Sequence, residues 1–437
     1  MSQTVTGTSP IAPTLTVPRA AGAITNPVLR QRMRQVALMA AMLISGGLPI
    51  FPREPLLAIL LVTCFLLKNP LRLFRGEFAL IWLVLLAVAA VALIGGNSLQ
   101  VGQMIIRYAN FFAGLALLMV YIDERRSTLA ADLVGILKLM AFQAVLTPIV
   151  YILIPNYFFQ FEATGTLYTT FYYIFTFHEF LALGPIKRAD GFFFEPGVFQ
   201  IYLNVFLFIA LFVRKRSPFD IALATLAVLA TQSTTGAIIL VLQYTAAYFT
   251  WLTTASRSQK LGVFVFVPIM LVPLAAYMAY NVTEKFYGQL SGSSEAREYD
   301  ARTGLNVALE QPFTGIGFDY EKYYDIASRV GYREAELSRD NITERGNTNG
   351  IVVLLYSLGF PLAFVFLLGL LRQRLFKPGL LMGSVALLSL VSESLSFTPF
   401  FLMLTFSGLL IQPQRVRSLL GRQPASASTS APMRAAA

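Results

Sequence analysis

FALIWLVLLAVAAVALIG, from Phe78 to Gly95, runs for 18 residues without a charge. At 1.5 Å rise per residue, roughly 20 apolar residues cross a hydrocarbon core of about 30 Å. In lipid every backbone N–H and C=O needs a partner within its own segment, so such a run must be helical. The stretch from Leu261 to Tyr280 is equally free of charge. Working outward, the pattern recurs at 36–51, 55–67, 78–95, 104–122, 133–154, 196–213, 219–235, 236–254, 261–280, 350–371, 379–393 and 396–412. The chain therefore reads as all-α, a polytopic membrane protein of about 12 transmembrane helices with a large, partly helical outer-face loop. Segment 55–67 is short and reads either as a span or as half of a hairpin with 36–51. Removing that pair leaves an even count, so the orientation does not depend on it.

Composition agrees with this drawing. Of 437 residues, 56% are hydrophobic and 13% charged, against roughly a quarter charged in soluble domains. The charges also test it, because cytoplasmic connections of a membrane protein are rich in Lys and Arg. The two tails and loops 68–77, 123–132, 214–218, 255–260 and 372–378 hold 21 of the 34 basic residues. The opposite side holds 18 of the 23 acidic residues. Arg107 and Lys138 are the basic residues inside spans. The net charge of +11 thus reports orientation and contact with anionic membrane lipid, not a nucleic-acid surface. Both termini are expected in the cytoplasm, in a multi-pass protein.

The expected organisation is a disordered tail over 1–35, one membrane domain over 36–412 and a second disordered tail over 413–437. Residues 1–29 lack the apolar core of a signal peptide. Cys64 is the single cysteine, so no intrachain disulfide forms.

Two outer-face segments, 155–195 and 281–349, are longer than simple connections need. In the second, Ser294 to Glu310 and Asp319 to Arg329 carry helical spacing, joined by the Pro- and Gly-containing turn QPFTGIGFDY (Gln311 to Tyr320). This reads as a small structured cap. In the first, Leu167 to Gly184 is aromatic and apolar and reads as an interfacial or re-entrant helix, with a true span as the second reading.

The chemistry-bearing residues collect on that face. Lys187-Arg188-Ala189-Asp190-Gly191-Phe192-Phe193-Phe194-Glu195-Pro196 sets cations and carboxylates at the lip of a span, where ionisable groups are costly and tend to be functional. An arginine suits phosphate, because its planar fork donates two parallel bonds. Glu195, fixed by the following Pro, is a candidate general base. The alternative is an interface anchor with an Arg188–Asp190 ion pair. The polar hexad Thr231-Gln232-Ser233-Thr234-Thr235-Gly236 reads either as close helix packing or as the polar floor of an outward-facing cavity. Arg107 snorkels to the interface or helps to hold an anion. Arg297, Arg302, Arg345 and Asn347 stand out in the large loop, although most of its arginines are expected to be solvated or paired. No His, Cys, Asp and Glu group has metal-ligand spacing, and no phosphate-binding Gly-rich loop appears. Neither metal nor cofactor is expected.

The order of these features resembles the bacterial O-antigen polymerase and O-antigen ligase superfamily, the Wzy-like polysaccharide polymerases. Four pieces carry the resemblance: R-x-x-G-x-F-x-E-P at Arg188 to Pro196, QSTTG at Gln232 to Gly236, AREYDARTGLNVALEQPFTGIGF at Ala296 to Phe318, and N-x-x-G-I-V-x-L-L-x-x-L-G at Asn347 to Gly359. The resemblance implies metal-independent glycosyl transfer on the periplasmic face of the inner membrane. The donor it implies is an undecaprenyl-diphosphate-linked oligosaccharide, and its product an exopolysaccharide or O-antigen. A flippase and a chain-length regulator of the same pathway are the protein partners it implies. Arg188 and Arg297 match arginines that hold the donor diphosphate; Gly191, Arg302, Gln232, Ser233, Arg345, Asn347 and Arg107 are the further substrate-binding candidates. Ligases of this superfamily place a histidine just before the Asn of the last piece, where this chain has Gly346. That departure favours a polymerase and leaves the base open between Glu195, Glu344 and Asp340. A transporter of the lipid-linked sugar is the reading from another class.

Overall fold

The computed structural model describes residues 26–95, 101–163, 165–178, 187–214, 217–254, 291–330 and 348–411, with isolated positions between 276 and 283. In chain order these form α1 (Pro27–Ile44), α2 (Arg53–Leu67), α3 (Ala79–Gly95), α4 (Val101–Ile122) and α5 (Arg126–Leu153). Three strands follow: β1 (Phe159–Ala163), β2 (Thr166–Phe171) and β3 (Phe175–His178). Then come α6 (Pro196–Phe208), α7 (Pro218–Ala230), α8 (Thr234–Thr254), α9 (Ser291–Glu310), α10 (Tyr320–Val330), α11 (Gly350–Leu371), α12 (Gly379–Ser392) and α13 (Pro399–Leu409). Among the described residues six helices, against the 12 spans expected, are long and apolar enough to cross a membrane: Gly76–Gly95, Met104–Ile122, Ser127–Leu153, Pro196–Val213, Thr234–Thr253 and Gly350–Leu371. The apolar helices Pro218–Ala230, Gly379–Ser392 and Pro399–Leu409 are shorter. The protein is thus mostly helical and multi-pass. The span expected at 261–280 falls outside the described residues.

α1 begins at Pro27, inside the stretch expected to be a disordered tail. Asn26 caps it, its Oδ1 accepting from Val28 N at 3.0 Å and Leu29 N at 3.3 Å, with Pro27 at the first helical position. Charge pairing holds the N-terminal half of α1 down. Arg34 donates through Nε to Asp132 Oδ2 at 2.5 Å, and Arg30 to Glu124 at 2.7 Å. Arg72 pairs with Asp123, Lys68 lies 3.6 Å from Glu124, and Ile411 N donates to the Glu77 carbonyl at 3.1 Å. All of these segments belong to the basic side of the sequence drawing. At the other end, Leu48 N donates to Phe192 O at 2.8 Å and Phe194 N to Gly46 O at 3.0 Å, while Arg107 meets Tyr320 and Lys322 meets the Gly95 carbonyl. The helix ends therefore sort into the two groups that the charge alternation requires. Lys138, a cation inside a span, is paired with Asp220 at 2.7 Å and lies 5.0 Å from the Phe219 ring centre.

α6 is the central helix. Every residue from Pro196 to Leu211 is buried, as expected of a helix apolar all round. Because the 188–195 stretch feeds directly into it, those residues are delivered to the middle of the bundle end.

The all-α expectation needs a correction. Residues 159–178 form an antiparallel sheet in the order β1-β2-β3, and the helix expected from Leu167 is β2 and β3. Phe159 pairs with Thr170 and Tyr168 with His178. Thr, Phe and Tyr suit a pleated surface, and the β2–β3 turn is made by Tyr172 and Tyr173, at φ 50° and 58°. Both central residues being left-handed is the geometry that matches strand twist. Residues with that preference, Asn or Gly, are absent from the turn, which hides the hairpin in the sequence. The sheet lies on α5, through Tyr151 against Phe177 with ring centres 4.8 Å apart.

The cap is also more than a cap. α11 is broken at Gly359 (φ 71°, ψ 165°), two residues before Pro361. The freed backbone groups are taken up by the TGIGF turn. Ile316 N donates to Tyr356 O at 2.7 Å, and Phe360 N donates to Pro312 O at 2.7 Å. Gly315 and Gly317 (φ 61° and 66°) let this turn press against α3 and α11; a Cβ on Gly315 would lie 2.6 Å from Tyr356 O and from Gly359 N. Gly359 stands nine residues below the start of α11, about 13 Å at helical rise. The turn is thus a wedge between the end of α3 and the break in α11, whose backbone groups it re-satisfies.

Candidate active site

The 188–195 stretch is folded by its backbone. Ala189 N donates to Ala230 O at 3.0 Å, Asp190 N to Thr176 O at 3.0 Å, and Phe193 N to Asp190 O at 3.1 Å. Arg188 is buried and donates from Nε to Thr231 O at 3.0 Å. Arg188 and Ala189 therefore cap the C-terminal carbonyls of α7, where a cation is also favoured by the helix dipole. Gly191 makes the bend at φ 62°, and a Cβ there would strike the Phe199 ring at 2.7 Å. Its place is a turn residue's.

Asp190 does not pair with Arg188 in the way the anchor reading supposed. It is fully buried and its Oδ2 meets His178 Nδ1 on β3, under the Tyr168 ring at 4.5 Å. Its Oδ1 is buried without a hydrogen-bond partner. Burial works against a charged imidazole, but the Asp190 carboxylate, by charge and hydrogen bond, with Glu195 behind it, raises the His178 pKa above its usual value. Burial likewise raises the Asp190 carboxyl, against the pull of His178 and Arg188.

The polar hexad is a helix joint. Thr231 closes α7, Gln232 takes a left-handed backbone (φ 50°), and Ser233 caps α8 by accepting from Gly236 N at 3.3 Å. Gln232 and Ser233 are both buried. Beneath Gly236 runs a buried polar ladder: Asn204 Nδ2 donates to Gln200 Oε1 at 2.8 Å, and Gln243 Nε2 to Asn204 Oδ1 at 3.0 Å. It ties α6 to α8.

Glu195 occupies the N-cap position of α6 without capping it. Its carboxylate faces a second one. A Cβ built on Gly197 would overlap Glu393 Oε1, and would lie 3.3 Å from Glu393 Cδ and 3.2 Å from Glu195 Oε1. Glu195 Oε1 and the Glu393 carboxyl carbon are therefore at most about 6.5 Å apart. Glu393 ends α12 and is buried, its side chain 5% exposed. Arg297 Nη2 reaches it at 3.7 Å from α9, with a side chain 37% exposed. One helical turn on, Asp300 accepts from Thr348 N at 3.3 Å and Thr348 Oγ1 at 3.2 Å. Burial raises the Asp300 carboxyl, opposed by Thr348 and by Arg297. Four separate elements thus meet here: the start of α6, α9, the start of α11 and the turn after α12.

The other sequence candidates lie elsewhere or are otherwise engaged. Five residues at about 100° each turn Arg302 well away from Arg297 around α9; it is exposed and pairs with Glu298 at 2.5 Å. Arg107 meets the Tyr320 hydroxyl and stands 5.6 Å from the Phe397 ring centre. Arg345 and Asn347 fall outside the described residues, as do Glu344 and Asp340. Sequence reasoning passed over Glu393, the one acidic residue after Glu344. An acid closing an apolar run was the available signal. Among the described residues no three His, Cys, Asp or Glu side chains are grouped to hold a metal. A cavity of about 260 Å³ lies at the opposite end, lined by Glu77, Tyr121, Glu124, Arg374 and neighbours, away from this cluster.

Fold and site together define a multi-pass helical membrane protein that gathers an arginine and two carboxylates at one end of its bundle. Residues 221–367, about a third of the chain, match the family described as O-Antigen ligase, a match consistent with the O-antigen polymerase and ligase superfamily. The matched stretch holds Arg297 and the TGIGF wedge; Arg188, Glu195 and Glu393 lie outside it. No curated protein and no solved structure matches the chain.

Proposed function

We propose that this protein is a polymerase that joins undecaprenyl-diphosphate-linked oligosaccharide repeat units into exopolysaccharide or O-antigen. The observation that carries the proposal is the Arg297–Glu393–Glu195 cluster at the membrane lip, in a chain of this superfamily. In the transfer, Glu195 takes the proton of the acceptor hydroxyl as the new bond to the anomeric carbon forms. The bond from that carbon to the phosphate oxygen breaks, and its electron pair leaves with the lipid diphosphate. Charge develops on that diphosphate, and preorganised cations stabilise it. Arg297, half-exposed, contacts the diphosphate. Arg188, buried, supplies a fixed positive charge to the wall of the site and holds the 231–233 joint. The basic tails and loops argue for termini in the cytoplasm and a site facing the periplasm of a bacterial inner membrane. No metal or cofactor enters this scheme.

A ligase-type transfer to another acceptor is the second reading, favoured by the family's own description. Gly346, where ligases of the superfamily carry a histidine, speaks for the polymerase. A transporter would use a broken helix to line a polar cavity near mid-membrane. The break in α11 is instead filled by the 312–316 backbone.

Deleting the gene and analysing lipid-linked glycans by compartment separates the three. Polymerisation predicts single repeat units accumulating outside and no long chains. Units trapped inside would mean a flippase, and long lipid-linked chains that never reach an acceptor would mean a ligase. Replacing Glu195 by Gln should abolish chain growth while the protein still accumulates in the membrane; normal chain length in that variant removes Glu195 from the mechanism.

A further inference from the structure

We propose that Glu393 is a positioning residue for Arg297, holding its guanidinium at the start of α6 beside Glu195, where the lipid diphosphate departs. This rests on the glycosyl-transfer reading and adds a residue to it. The argument begins with α9. A single arginine on an outer helix, 37% exposed, carries a long side chain with several rotamers. Ordering such a side chain costs up to about 2 kcal/mol, so a cation that must be preorganised needs a fixed partner. Glu393 is such a partner: its side chain is 5% exposed, and its backbone is locked on both sides. Its N–H donates to Ser389 O at 3.1 Å and its carbonyl accepts from Leu395 N at 2.9 Å. Ser396, in the same turn, donates from Oγ to Gly350 O at 2.7 Å, tying the turn to α11.

Gly197 is the second observation. The Glu393 carboxyl fills the space that any Cβ at 197 would need, one residue beyond the Pro that starts α6. The same space borders Glu195. The chain thus leaves a side chain out of the first turn of its central helix, and in that gap a carboxylate from the last helical hairpin described lies at most about 6.5 Å from the candidate base. Asp300 does not serve the same end, because its Oδ2 is engaged by Thr348.

Positioning makes a prediction that a packing role does not. A carboxylate next to Arg297 opposes binding of an anion in the ground state, yet fixes the arginine for the charge that develops as the diphosphate leaves. The test uses the full-length protein in lipid nanodiscs, with two readouts: turnover of lipid-linked repeat units, and binding of farnesyl diphosphate as a short isoprenoid diphosphate probe. Glu393→Gln keeps shape and loses charge. It should lower kcat about tenfold or more, by analogy with losing one transition-state donor. It should bind the probe unchanged or roughly threefold tighter, the low end of coupling for residues in contact. In an Arg297→Gln background both effects of Glu393→Gln should vanish. Gly197→Ala, which removes neither charge but displaces the Glu393 carboxylate, should reproduce the kcat loss; Glu393→Asp, charged but shorter, should fall between wild type and Glu393→Gln.

Weaker probe binding and lower kcat together in Glu393→Gln mean a packing defect and overturn the proposal. So does a kcat loss that is undiminished in the Arg297→Gln background. If the wild type turns over no repeat units, the glycosyl-transfer reading fails. The Glu393–Arg297 unit is then judged on probe binding alone, by whether the tightening disappears with Arg297.

Discussion

Gly315→Ala is the sharpest test of the wedge that joins the outer cap to the broken helix. Three costs follow from the geometry. Residue 315 sits at φ 61°, where a side chain costs about 1–2 kcal/mol. The added methyl would stand 2.6 Å from Tyr356 O and Gly359 N, and forcing an atom into a packed interior costs about 1–3 kcal/mol. Relief by backing the turn away breaks the Ile316 N to Tyr356 O bond, and a buried carbonyl left without a partner costs about 1–3 kcal/mol. These overlap, so the expected loss is about 3–5 kcal/mol, a large part of the 5–15 kcal/mol that holds a typical domain folded. The assay is equilibrium unfolding of the purified protein in mixed detergent micelles with increasing SDS, followed by circular dichroism. Thr314→Ala is the control, since the Thr314 hydroxyl reaches only the neighbouring Gly315 carbonyl. A Gly315→Ala variant within about 1 kcal/mol of wild type would show that the turn does not bear on α11, and the account of the break would fall.

Other outcomes follow from the same structure. Asp132→Asn leaves Arg34 buried without its counter-charge, at an expected cost of about 3–5 kcal/mol in the same unfolding assay. The triple variant Arg34→Met, Asp132→Leu and Tyr121→Phe should regain most of it, because an apolar group of similar size needs no desolvation and the buried Tyr121 hydroxyl, which donates to Asp132 Oδ2 at 3.1 Å, is removed with its acceptor. His178 holds its proton more tightly in the folded protein than in the unfolded chain. Its contribution is therefore fully present below the unfolded value of about 6.5 and is lost as pH rises through the raised folded value. The melting temperature of wild type should accordingly exceed that of His178→Gln most near pH 6 and converge with it in alkaline buffer; a gap that widens with pH would contradict the His178–Asp190 pairing.

Long apolar runs made the multi-pass helical character readable, because lipid leaves a segment like Phe78 to Gly95 no alternative to a helix. The alternation of charge made the two ends of the bundle readable as well: Arg34, Arg72 and Glu77 meet loop partners from the same side. The sheet at 159–178 escaped because Phe, Tyr and Thr satisfy an interfacial helix and a strand equally, and its second turn is made by two tyrosines. The site was half legible. Arg297 and Glu195 stand out as charges at a lip. Arg188, Gly191, Gln232 and Ser233 carry the same motif signal; in the structure Arg188 and Ser233 cap α7 and α8, and Gly191 and Gln232 bend the chain. Glu393 escaped because its relevance is purely spatial: nothing near it in sequence announces Gly197, nearly two hundred residues upstream.

That distance has a consequence for how the protein is made. Glu393 belongs to the turn between α12 and α13, the last helical hairpin described. During synthesis the start of α6 and then α9 leave the ribosome well before it, and the gap opposite Gly197 stays unfilled until α13 has emerged. A growing chain already inserted in the membrane therefore holds the candidate base and the candidate diphosphate-binding arginine without the carboxylate proposed to fix their geometry. On the proposed reading, activity would switch on only at the end of translation, and a chain cut short before residue 393 would be a membrane protein with an unfinished candidate site.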